Sequence, residues 1–120
     1  MTRVLAKMRT LAPSVVKFVD IYKSSGAPGS RLAAIAMMQM EPRIADIDWL
    51  KERFSSEQPF VFYHAALALQ NAANILQTTE DKRRLRQAAR QGLQAVKGFS
   101  RGPDANTVGV LENLISSLPE

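Results

Sequence analysis

The chain has 120 residues, no cysteine and a formal net charge of +5. That length fits one domain with a continuous hydrophobic core, and the lack of cysteine excludes disulfides, thiolate metal sites and a cysteine nucleophile, in keeping with a reducing cytoplasm. No apolar run approaches the roughly 20 residues that span a bilayer, and Lys7 and Arg9 break the apolar stretch that a secretory signal would need.

In chain order, Val4, Met8, Leu11, Val15, Val19 and Tyr22 recur at helical steps and predict an N-terminal helix over residues 1–23. Pro13 interrupts the stripe. Either the helix bends there, the reading we favour, or a short helix ends near Leu11 and Pro13 opens a second. Ser24-Ser25-Gly26-Ala27-Pro28-Gly29 is a stop and restart, with Gly26 suited to a left-handed C-cap and Pro28 to the next helix entry. A helix over 29–40 ends at Glu41-Pro42, because a residue before proline is pushed out of the α region. A helix over 44–54 then carries Ile47, Leu50 and Phe54 on one face.

Residues 59–76 are rich in alanine and leucine and nearly free of charge, which predicts the most buried helix, at the centre of the domain. Thr78-Thr79-Glu80-Asp81 supplies a capping hydroxyl and first-turn acids for a helix reaching about Lys97, with Leu85, Ala88, Ala89, Leu93 and Val96 as its apolar stripe. After a loop over 98–103, a last helix starts at Asp104 or Thr107 and carries Val108, Leu111, Leu114, Ile115 and Leu118. No segment alternates with period two for long enough to predict a sheet. The expected class is all-α, five to seven helices in a HEAT-like α-solenoid or a compact helical bundle, with residues 28–76 as two hairpin units and 79–118 as a C-terminal helical pair.

Ala33-Ala34-Ile35-Ala36-Met37 and Ala65-Ala66-Leu67-Ala68-Leu69 match position by position at an offset of 32, with Asp48-Trp49-Leu50-Lys51-Glu52-Arg53-Phe54 as a partner helix between them. A period of 30 to 45 residues is that of an α-solenoid; alanine-rich helix centres also resemble one another in any bundle. Together with Arg31-Leu32, Pro59-Phe60-Val61 and Tyr63-His64, these segments resemble HEAT-like helical modules attached to bacterial conflict and signalling proteins. The resemblance covers roughly residues 28–118 and rests on hydrophobic pattern. It implies an effector-associated adaptor that tethers an effector to a sensor or activator.

Charge is concentrated: residues 1–23 carry +4 and residues 79–101 carry +5, around a centre of −1 and before a tail of −3. Within the second basic segment Arg83, Arg86 and Arg90 sit three and four apart, predicting a stripe on one helix face that either is simply solvated or meets phosphates or an acidic partner. No aromatic is interleaved with it, which disfavours a single-strand stacking platform. The candidate partner-binding set is Arg83, Arg84, Arg86, Arg90, Lys97 and Arg101, with Phe62 as a candidate aromatic anchor: Phe60, Phe62 and Tyr63 cannot all face one way, so either one of them is exposed to a partner or, the reading we favour, all three pack in the core.

The remaining polar groups read as structural. His64, the only histidine, has no companion for a zinc site and lies in an apolar stretch. Ser24, Ser25, Ser55 and Ser56 belong to loops and caps. Asp46, Asp48 and Glu52 form a solvated helix face beside Lys51 and Arg53, with Arg31 and Arg43 as neutralising partners. Trp49 suits either a core or an interface. We therefore expect no catalytic residue, no metal and no cofactor. The expected function is a cytoplasmic, non-catalytic protein–protein interaction adaptor; the alternative is a nucleic-acid-binding protein using residues 82–101.

Overall fold

The computed structural model describes residues 18–57, 59–98 and 105–119; the bend expected at Pro13 lies outside them. Its elements are α1 (residues 18–23), α2 (Pro28–Met40), a 3-10 turn (Pro42–Ile44), α3 (Ile47–Ser56), α4 (Pro59–Ala73), α5 (Thr79–Lys97) and α6 (Ala105–Ser117). Among the described residues there is no strand, and the chain is all-α, with six helices. No described helix is long and apolar enough to cross a membrane.

The helix ends show where local chemistry took effect. Thr78 accepts from the Asp81 N–H at 3.1 Å and starts α5, with Glu80 and Asp81 in the positive first turn and Lys97 in the last. Pro42 stops α2, but the next helix begins at Ile47 and not at Ile44, because Pro42–Ile44 first closes a 3-10 turn and Asp46 then caps α3 by accepting from the Trp49 N–H at 3.1 Å. Helix α4 ends at Ala73, short of Leu76, where Asn74 and Ile75 tighten into bonds to Asn71 and Ala72. Gly26 does not adopt the left-handed conformation expected of it. Hydroxyls close that loop instead: Ser24 donates to the Asp20 carbonyl at 2.7 Å, and Ser25 accepts from the Ala27 N–H at 3.1 Å.

Helix α4 packs against α2, α3, α5 and α6 and is the centre of the fold. Its Phe62, Ala65, Ala66, Ala68 and Leu69 are all buried, and the alanines let neighbouring backbones approach closely. Near the start of α2, Arg31 binds Glu57, which lies just before α4; near the end of α2, the Gln39 carbonyl accepts from Asn71 at 3.0 Å. The two helices therefore run parallel, and residue 39 beside residue 71 reproduces the 32-residue offset of the sequence repeat. Helices α3 and α5 also run parallel, joined by Asp48 and Arg84 near their starts and by Phe54 against Gly92 further along. Helix α6 opposes α5, since the Arg86 guanidinium donates to the Ile115 carbonyl at 3.0 Å.

Alternate helices thus share a layer: α2, α4 and α6 form one, α3 and α5 the other. The shortest dimension of the molecule, 20 Å, is that of two helix layers. Helix pairs stack in this order in α-solenoids.

Candidate functional site

The arginines of α5 point in three directions, because successive residues turn by about 100° around a helix. Arg84 faces α3 and forms an ion pair with Asp48. Arg86 faces the opposite way, is half-buried, and fastens α5 to α6 through the Ile115 carbonyl. The stripe expected through Arg83, Arg86 and Arg90 therefore loses Arg86, whose guanidinium is held by the fold. The surface line is instead Arg83, Gln87, Arg90, Gln94 and Lys97, all exposed and spaced by alternating steps of four and three.

The cations of this line recur every seventh residue, about 10 Å apart along the axis. Arg90 and Lys97 make no ion pair or hydrogen bond with another described residue. Beside the line, Arg86, Arg90, Leu93, Gln94 and Ile115 border an open groove of about 450 Å³ between α5 and α6. Arg90 shares this lining with the apolar Leu93 and Ile115, an arrangement that attracts a carboxylate and rewards burial of hydrocarbon next to it. Arg101 lies outside the described residues.

Phe62 is not a surface anchor. It is 1% exposed, with its ring 6.0 Å from that of Phe54 in the core. Of the three neighbouring aromatics Phe60 is the most exposed, at 66%, and meets His64 edge-on at 5.4 Å; Tyr63, also exposed, meets the same imidazole at 6.0 Å. His64 itself is half-buried. Trp49 is half-buried beneath the Arg53 guanidinium, 4.5 Å from its ring, with the Lys23 ammonium at 6.0 Å.

The acids are engaged structurally. Asp46 caps α3 and pairs with Lys23 at 2.7 Å. Burial pushes its carboxyl up, but the Lys23 ammonium, the Trp49 N–H and the Arg84 charge outweigh that and hold it below its ordinary value. Arg31 and Arg43, expected to neutralise the acids of α3, bind Glu57 and Glu41 instead. The Arg43 hydrogen bond holds the Glu41 carboxyl below its usual range. The Arg31 guanidinium grips both Glu57 oxygens, at 2.7 to 3.0 Å, and donates to the Ser25 carbonyl at 2.9 Å, so that one ion pair ties the α1–α2 loop to the α3–α4 junction. Sequence reading passed over Glu57, although an acid at the negative end of a helix is a signal that a cation must lie near. Among the described residues no group of three acid or histidine side chains is placed to hold a metal.

Compared with known proteins, the chain matches no family model, no curated protein and no solved structure.

Proposed function

We propose that this chain is a non-catalytic protein-interaction module whose α5–α6 surface binds an acidic partner, serving as an adaptor of the kind the sequence resemblance implies, one that holds an effector. The observation behind this reading is the line of outward cations on α5, two of them without an ion pair among the described residues, beside a groove lined in part by Leu93 and Ile115. Engagement of Asp46, Asp48 and Glu57 in ion pairs between elements accords with a scaffold in place of acid–base chemistry. Duplex DNA presents a charge about every 1.7 Å along its axis, and three cations about 10 Å apart make a sparse match to that density.

The reading is tested by placing a photo-crosslinking amino acid at Gln94, exposed on the groove rim, and irradiating in native lysate. A discrete protein adduct that disappears when Arg83, Arg90 and Lys97 are all replaced by Glu is the expected result. Adducts that survive the triple replacement, or that consist only of nucleic acid, would overturn it.

A further inference from the structure

The layer order shows where a partner would sit. Helices α2, α4 and α6 lie in one layer and α3 and α5 in the other, with α1 held to the start of α3 through Lys23 and Asp46, so that α5 is the last described member of its layer in chain order. Arg84 reaches back toward α3, and Arg86, about 200° further around α5, faces the opposite side with Leu93. The α5–α6 groove therefore lies where the next helix after α5 in the α3–α5 layer would rest, against α5 and α6 as α5 rests against α3 and α4.

We infer that this groove receives a single helix from an acidic partner, which extends the α3–α5 layer by one member. The inference rests on the reading of this surface as a protein-binding one and adds the form of the ligand. Leu93 and Ile115 offer the apolar seam on which a helix packs. Arg90 and Lys97 stand seven residues apart, two turns along α5, and match carboxylates placed every seventh residue on a helix alongside. A chain of net charge +5 is a poor occupant for its own cationic groove, which favours an acidic partner over a second copy.

The test uses the whole chain and a fluorescein-labelled peptide of roughly 18 residues, five helical turns, with leucines at helical spacing and Glu at every seventh position. Its controls are an isomer of scrambled order, a charge-swapped peptide carrying Lys in place of Glu, and a short DNA duplex. Anisotropy should show saturable binding of the ordered peptide, weakened on the order of tenfold by Arg90→Glu with Lys97→Glu and by scrambling. The charge-swapped peptide should prefer the doubly substituted protein. Both replaced residues are exposed, and an unchanged far-ultraviolet circular dichroism spectrum establishes that the variant is folded.

Equal binding of ordered and scrambled peptides, absence of saturable binding, preference for the duplex, or self-association of the chain in place of peptide binding would each overturn the inference. The crosslinking result at Gln94 requires no helical ligand. A protein adduct there with no peptide binding would reject the helix and keep the interaction surface.

Discussion

At residue scale, Gly92 is the most closely packed of the described glycines. It lies inside α5, where glycine costs about 1 kcal/mol relative to alanine, yet a Cβ there would sit 2.8 Å from the Phe54 ring. Phe54 is fully buried, so moving its ring aside would disturb the core packed around it. Gly92→Ala should therefore destabilise the protein by about 1–3 kcal/mol despite its better helix propensity, read as a lower urea midpoint. A rise in the midpoint would show that the ring can shift. Arg31 and Glu57 make a second residue-scale case: the Glu57 side chain is 2% exposed and Arg31 17%. Arg31→Ala takes the hydrogen-bonded cation from a carboxylate in a nearly dry site, leaving it only the Arg53 charge, and should cost about 3 kcal/mol, whereas changing both residues to apolar ones should recover much of that loss in the same urea titration. Neither effect can be read from the local sequence, since Gly92 resembles a weak point in a helix and Glu57 an ordinary polar residue at a helix end.

At the scale of elements, caps and stops did most to place the helices. Thr78, Pro28 and Pro42 each act on their own turn, so the boundaries of α2 and α5 were legible. The start of α3 was not, because the choice between a 3-10 turn at Pro42 and an immediate helix depends on Asp46 having both the Trp49 N–H and Lys23, a residue of α1, as partners. That dependence carries a pH signature. The Asp46 carboxyl is held below its ordinary value of about 3.9, so its stabilising contribution is complete above that value and is lost as pH falls through the folded-state value. Glu41 acts in the same direction through Arg43. Denaturant titrations from pH 7 downward should show stability falling below about pH 4. Asp46→Asn keeps a good capping side chain, so it should be less stable at pH 7 and show a shallower acid decline; an unchanged decline would mean that Asp46 does not contribute to it.

For the whole molecule, α4 touches four other helices and buries side chains around most of its circumference. Its amides can exchange only when several helices separate, so hydrogen exchange should find residues 65–69 the most protected, above the middle of α5, which leaves one face to solvent. Protection of α5 equal to or above that of α4 would place the cooperative centre elsewhere. The central place of α4 was readable beforehand, as were the all-α class and the neutral centre between basic segments, because composition and a 3.6-residue period report directly on which surfaces leave water. The sequence also held the 32-residue offset, but only the contacts show that α2 and α4 lie parallel, through Arg31–Glu57 at one end, and that residues 32 apart meet, through Asn71 and Gln39 at the other. The candidate surface divides in the same way. A run of arginines on α5 was plain from residue types, while the separation of Arg84 toward Asp48, Arg86 toward Ile115 and Arg90 toward solvent, and the burial of Phe62 in place of Phe60, came from the neighbours of each helix. Periodicity gives the angle of a side chain around its own helix axis; which angle faces core, groove or water depends on where the other helices stand.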